Sequence, residues 1–461
     1  MDDIARPPEG ARPRLERVIG TGALAAVAIN CIVGSGIFGL PGIAAGILGP
    51  AAILAYLVCA LLIGLVGLCF AEIGSRVDSA GGIYAYTTVA FGPVVGGIAG
   101  TLMWSANAVV PNAAVSNLLM DTLASLVPAL GGGPVRTGMI FAVYSVLAAV
   151  NIRGVRSGAR LSMILVVIKI APLVVLVIAG ACVVSGANLH WQNLPTASGI
   201  GQTAVLLFFA FMGVEGGLNA SGEVANPART VPRAILLALT VVAMLYIGLQ
   251  VVAQGTLGSQ LPSESAPVIA TAAAVFGGWG ARAFVLVTVL SVAGYLSGDM
   301  LGSPRVFYAM AERGQMPRRL SAVHPRLKTP VLAIGMYALL CAVMAVTGSF
   351  RQLVVVAASG TSVAYLICCL GLLPLRKKNV VMASAPFVAP GGALVPLAAS
   401  AIIVWMLSTL PTGELAAAAS LVAVSGIAYT LQNVLPGRKL STEQSFPSIT
   451  SPASSSQRPP R

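Results

Sequence analysis

The chain has 461 residues, 57% of them hydrophobic, and only 41 are charged, 27 Lys and Arg and 14 Asp and Glu, where a soluble protein of this length carries roughly 115. That excludes a soluble enzyme, a disordered chain and a coiled coil. At about 20 apolar residues per crossing it leaves room for roughly a dozen membrane helices and little else. The net charge of +13 reports orientation in such a chain and argues for no nucleic-acid partner.

In chain order, residues 1–20 are polar and carry Arg6, Arg12, Arg14 and Arg17. The apolar run that follows is too long and too interrupted by glycine for a cleavable signal peptide, so 1–20 reads as a cytoplasmic tail. Apolar runs long enough to cross fall at 21–46, 50–74, 91–126, 135–152, 157–184, 200–224, 233–255, 281–304, 329–347, 351–375, 391–411 and 414–435. Segment 256–280, bounded by Gly and Pro, reads as an extramembrane loop holding a short helix, and the Ser/Pro/Gln-rich tail 436–461 as disordered and cytoplasmic. The seven cysteines are scattered without CxxC spacing, which supports neither a disulfide framework nor a zinc site. His190 and His324 fall in loops on opposite sides. Neither a metal nor another cofactor is implied.

With the N-terminus inside, 23 of the 27 basic residues fall in inner loops and tails, three (Arg136, Arg282, Arg351) outside, and one, Lys169, within a span. A missed span would invert every later loop, so this bias supports twelve crossings of a cell (inner) membrane with both termini cytoplasmic.

Two spans break their own helical pattern. The first runs NCIVGSGIFGLPG (30–42), with four Gly and a Pro in nine residues; the sixth runs FFAFMGVEGG (208–217), with a carboxylate at mid-membrane. Glycine alone could serve close helix packing. Two breaks five spans apart, however, point to an inverted-repeat transporter with its site at the midplane. An unwound Gly-Ser-Gly exposes N–H groups at the start of the next half-helix, which suits a carboxylate. The break in span six exposes carbonyls, which suit an ammonium. The pair fits a zwitterion.

The stretches GSGIFGLP (34–41), GGIYAY (81–86), NIRGV (151–155), KIAPL (169–173), FMGVE (211–215) with EVANP (223–227), and RVFYAMAERG (305–314) resemble those of the amino acid–polyamine–organocation superfamily of permeases. The resemblance covers 20–435. It implies an all-α polytopic membrane protein of the LeuT-like, five-plus-five inverted-repeat fold with discontinuous helices 1 and 6. Repeat 1 would then be 21–184 (helices 1–5), repeat 2 would be 200–375 (helices 6–10), and helices 11 and 12 would occupy 391–435. By similarity, Gly34, Ser35, Gly36 and Ile37 would hold the substrate carboxylate, and the carbonyls of Phe209, Ala210 and Met212 the amino group. Span three would add Ala106, Asn107 and Pro111 to the side-chain pocket, and Phe209 stands where arginine exchangers of the superfamily carry a Trp gate.

Intramembrane charges mark functional pathways by default. Lys169 lies nine residues beyond Arg160, about 14 Å along a helix, too deep to snorkel. In sodium-coupled relatives a cation bridges the first and eighth spans, and a fifth-span Lys stands in for it in other members. Lys169 matches that position, with Ser291 in span eight as a candidate partner; a structural Lys held by carbonyls is the alternative. Glu215, beside the second break, is a candidate for substrate contact, proton coupling or gating, or for a structural role. Asp299 takes the place of an aromatic pocket residue of arginine exchangers. Facing the cavity it would favour a cationic side chain; otherwise it pairs with a neighbouring helix. Glu72, Asp78 and Glu223 read as solvated or paired charges in cytoplasmic loops or at helix ends.

The expected activity is secondary active transport of amino acids by alternating access, as proton symport or, alternatively, as exchange of amino acids, cationic amino acids or polyamines. An intramembrane enzyme lacks a nucleophile or metal set in this sequence. A channel would repeat a pore unit around an axis. The expected partners are the amino acid, protons and the lipid bilayer.

Overall fold

The computed structural model describes residues 20–34, 36–77, 82–153, 158–191, 194–214, 227–312, 317–327, 329–380 and 386–434. Both tails, and the expectations placed on them, lie outside the described residues. Among these residues every regular element is helical: α1 (Thr21–Ile32), α2 (Leu40–Leu48), α3 (Ala52–Arg76), α4 (Gly82–Phe91), α5 (Pro93–Trp104), α6 (Val110–Ala124), α7 (Gly133–Arg153), α8 (Gly158–Ala181), α9 (Ala197–Phe211), α10 (Pro227–Leu257), α11 (Pro267–Glu312), α12 (Val331–Thr347), α13 (Phe350–Lys377), α14 (Leu394–Ser408) and α15 (Thr412–Val434).

Each expected apolar run contains helix among its described residues, and 215–224 of the sixth run lie outside them. Among the described residues six stretches are long and apolar enough to cross a bilayer unaided: Leu40–Arg76, Pro93–Ala124, Gly133–Arg153, Arg229–Ser263, Pro267–Tyr308 and Phe350–Lys377. Shorter apolar stretches include Thr21–Ile32, Ile168–Ala181, Ala197–Phe211 and Thr412–Ile427; α1 and α9 are short because they stop at the breaks read from the sequence. The segment between α10 and the long part of α11 is a turn at Gly258–Ser263 and a short helix that ends at Gly277, where φ is 72°. The short α4 was not expected as a separate helix. It is cut from α5 at Gly92 (φ 94°), a conformation only glycine adopts readily, with Pro93 starting the next helix where its missing N–H costs nothing.

Burial sorts the helices. The most apolar window of α13 is 72% buried within the protein, that of α7 only 22%, so α13 is a central post and α7 a peripheral one. The exposed side chains of α7, Val135, Met139, Val146 and Val150, recur at helical spacing as an apolar stripe suited to lipid. Helices α8 and α10 approach closely because glycine faces valine at two levels between them and at a third just past the end of α8. A methyl on Gly180, Gly248 or Gly255 would lie 2.2, 2.7 or 2.5 Å from Val252, Val177 or Val184, the small-residue packing that brings helices together in lipid.

Of the two readings of Glu72, solvated or paired, the structure shows the paired one: it lies in the last turns of α3, is fully buried and is bound to two arginines. Its carboxylate accepts five N–H groups: Nε and Nη2 of Arg76 on Oε1 (3.0 and 2.8 Å), Nε of Arg376 on Oε1 (2.8 Å), and Nη2 of Arg376 and the Ala389 backbone on Oε2 (2.5 and 2.8 Å). Ser75 Oγ, one turn on, accepts from the Phe387 N–H at 3.0 Å. The cluster thus staples α3 to α13 and to the segment entering α14. A buried carboxylate is tolerable only when paired and hydrogen-bonded in this way.

Removing one partner of such a buried cluster leaves the others uncompensated, which costs about 3–5 kcal/mol. Glu72→Gln should therefore lower the thermal unfolding midpoint of the detergent-solubilised protein clearly; an unchanged midpoint would contradict the clamp.

Candidate functional site

The two breaks meet. After α1 the chain leaves helical geometry at Val33 (ψ 82°), makes a tight bond from the Gly34 N–H to Ile32 O (2.7 Å), and resumes as a 3-10 turn at Gly36–Phe38 before α2. After α9 it leaves helix at Met212 (ψ 156°) and turns through Gly213 at φ 102°. Each break seats its glycine on the other. A Cβ on Gly36 would stand 2.8 Å from the Phe209 ring, and a Cβ on Gly213 2.5 Å from the Cys31 carbonyl oxygen. The first neighbour is a side chain; the second is backbone, so Gly213 is doubly required, by space and by φ.

Peptide groups freed by such breaks must find partners in the membrane. The Tyr246 hydroxyl of α10 lies 3.1 Å from Ala210 O and 3.3 Å from Ile32 O, so one side chain reaches both breaks. Lys169 Nζ of α8 donates to Asn30 O at 2.9 Å. The ammonium thereby sits at the carbonyl end of α1, where the helix dipole favours a cation.

Around this junction lies a cavity of about 180 Å³ lined by Cys31, Ile32, Gly34, Gly36, Asn107, Pro111, Val115, Phe209, Ala210, Met212, Gly213, Tyr295 and Asp299. Since about 10–15 Å³ of this kind of space admits one water, it has room for a small organic molecule. Of the residues read from the sequence, Gly34, Gly36, Asn107, Pro111, Phe209, Ala210, Met212 and Asp299 share this one wall. Ser35 and Glu215 lie outside the described residues, as do Asp78 and Glu223. Ile37 is fully buried behind the wall. Ala106, expected in the pocket, instead turns to α13, where its methyl stands 2.5 Å from the Cβ position of Gly360. Ser291 Oγ is buried without a hydrogen-bond partner among the described residues and does not pair with Lys169.

Asn107 lies in a π turn, Ser105–Val109, between α5 and α6. Pro111 explains it: proline has no N–H and crowds the carbonyl four residues back, that of Asn107, so the helix widens there and turns those residues to the cavity. Phe209 is held edge-on against Phe350, with ring centroids 6.5 Å apart.

Asp299 has both features weighed from the sequence, since it lines the cavity and is paired. Its carboxylate accepts from Asn112 Nδ2 (2.7 Å), Ser303 Oγ (2.7 Å) and the Tyr337 hydroxyl, and Asn112 Oδ1 accepts from Tyr144 (2.7 Å). Four helices, α6, α7, α11 and α12, are tied through it. Sequence reading missed Asn112, Tyr144 and Tyr337; polar residues at mid-span were the available signal. It also missed Cys31 and Tyr295 on the wall, which look like ordinary span residues.

The sequence model of a family described as amino acid permease matches residues 19–434. Among curated relatives, a methylthioribose transporter of Bacillus subtilis is 28% identical over 86% of this chain and 89% of its own length. A branched-chain amino acid permease of Lactococcus lactis is 30% identical over 79% and 83%. A vacuolar cationic amino acid transporter of Arabidopsis thaliana is 27% identical over 79% and 60%.

Cys31 supplies a test of the cavity, since its side chain is exposed and carries no disulfide. In a Cys182→Ser background, which removes the other exposed thiol, a small thiol reagent should modify Cys31, and a molecule bound in the cavity should slow that modification. Mass spectrometry of the adduct reads both. Modification at an unchanged rate with every candidate amino acid present would contradict the assignment.

Proposed function

The chain belongs to the amino acid permease family, and from that premise we propose that it is a secondary active transporter that moves amino acids by alternating access. The observation that carries the reading is the meeting of two broken helices on one cavity. Backbone N–H groups around Gly36 would take the substrate carboxylate at the start of the second half of helix 1, and carbonyls at the end of α9 its ammonium. In this reading the chain crosses the membrane twelve times with both termini in the cytoplasm. The inverted repeats are 21–184 and 200–375, and 391–435 is an added pair.

The side-chain wall is mostly apolar or neutral: Asn107, Pro111, Val115, Phe209 and Tyr295. Asp299 already accepts three hydrogen bonds, and an ionised carboxylate has about four acceptor positions. That supports neutral amino acids as the main substrates, in keeping with the branched-chain permease among the relatives. The second reading, cationic amino acids or polyamines, rests on the placement of Asp299 in the wall and the cationic transporter among the relatives.

Lys169 would be the coupling group. Its ammonium holds the end of α1, so a change in its charge would loosen or tighten the half-helix that must move. Proton symport is the mode this reading favours; exchange, which needs no such change and is compatible with the same Lys, is the alternative mode. Glu215, by its place after the second break, is a further candidate for substrate contact or coupling.

Purified protein in liposomes should take up at least one of the twenty amino acids, and an inward proton gradient should raise that uptake. Lys169→Ala should lose the gradient response while retaining exchange against internal substrate. No uptake of any amino acid or common polyamine would overturn the transport reading, and a gradient response intact in Lys169→Ala would remove Lys169 from coupling. Asp299→Asn separates the two substrate readings. Selective loss of lysine, arginine or putrescine identifies a cationic site, whereas loss spread equally over leucine and alanine identifies a structural role.

A further inference from the structure

Three polar residues follow one another at four-residue intervals on α10: Tyr246, Gln250 and Gln254. From first to last they climb about 12 Å at 1.5 Å per residue, and four-residue steps keep them on one side of the helix. All are turned into the protein, with exposures of 0, 1 and 5%.

The inner end of this row is Tyr246, whose hydroxyl lies against Ile32 O and Ala210 O, and both of those residues line the central cavity. The outer end is Gln254, in the wall of a second cavity of about 700 Å³ that it shares with Asn188, His190, Trp191, Thr196 and Ser259. Gln254 Nε2 donates to Asn188 O and Gly258 O, both at 3.3 Å. Since both partners are acceptors the amide cannot be reversed, and its Oε1 is held on the other side, buried and without a partner among the described residues. Gln250, midway, has neither Nε2 nor Oε1 paired among them. The Tyr56 hydroxyl is in the same condition on α3, which packs along α10.

A buried amide with both ends unpaired is a costly thing to keep in a membrane helix. Water is the partner that suits two acceptors and a donor on one face of α10, with hydroxyls on α10 and on the adjoining α3, because a buried water makes about three hydrogen bonds and can reach from one polar group to the next. We propose that a file of ordered water runs along α10 from the second cavity, past Gln254 and Gln250, to Tyr246 and the two broken helices, and that it carries protons to the central cavity by a route apart from the substrate's. Each transfer forms one O–H bond and breaks another, so nothing is oxidised or consumed. The proton role rests on the symport reading above; the file itself does not.

Two variants test it. Gln250→Cys should react with aminoethyl methanethiosulfonate at least roughly tenfold faster than Val252→Cys, because a thiol ionises and reacts where water reaches it and Val252 packs against Gly180 on α8. Mass spectrometry reads both sites without transport. Gln250→Leu should lose roughly tenfold in proton-driven uptake, as expected for removing a polar group from an ion pathway, with amino acid binding and exchange unchanged. Equal labelling at 250 and 252 overturns the file. Faster labelling at 250 with undiminished gradient-driven uptake in Gln250→Leu overturns its proton role. A wild type without any gradient response overturns the symport reading and the proton role together, while the labelling comparison still decides the file.

Discussion

The structure turns on a constraint of the bilayer: a peptide group that leaves helical pairing inside the membrane must be paired again by something. Two helices leave it here, and they meet. Gly36 lies under Phe209 and Gly213 lies over the Cys31 carbonyl, so each interrupted backbone closes on the other. Tyr246 then reaches across both breaks, and Lys169 holds the carbonyl end of α1. The same arrangement that makes the interruption bearable leaves a cavity between the two breaks. The stability problem and the proposed binding site are one feature.

The surrounding helices hold this junction in different ways. Helices α8 and α10 are pressed together by glycine against valine and bring Lys169 and Tyr246 to the breaks. Helix α13 stands at the centre with most of its surface covered, and at one end it is bound to α3 by the Glu72 cluster. Helices α6, α7, α11 and α12 are joined through Asp299 and Asn112. Polar contacts that link helices at separate points, with apolar packing between them, suit a protein whose parts shift as units. Ion pairs and hydrogen bonds can be exchanged one for another, whereas packed cores resist gradual deformation.

Much of this was legible in the residues. The glycine density at 34–42 and 213–217 announced the breaks because glycine in a span needs a reason. Lys169 stood out because charge in hydrocarbon is rare. Eight of the residues read into the pocket do lie on one wall. What could not be read depends on partners distant in sequence. Glu72 sits in a stretch with every mark of a helix end, and only the fold brings Arg376 and the Ala389 N–H to it across some 300 positions. Asp299 offered two readings because its donors come from three turns of three helices. Ala106 and Asn107 are neighbours that face different ways, and a π turn, set by Pro111, decides which one reaches the cavity. Periodicity alone assumes a regular helix and cannot assign that.

The central claim is that a zwitterionic substrate is held by the main chain of the two breaks. The most direct measurement is an experimental structure of the protein with a transported amino acid bound. The account predicts the carboxylate about 3 Å from backbone N–H groups at the start of the second half of helix 1, beside Gly36, with the ammonium on carbonyls at the end of α9. An amino acid bound elsewhere, with both breaks closed on each other and untouched by it, would contradict the account.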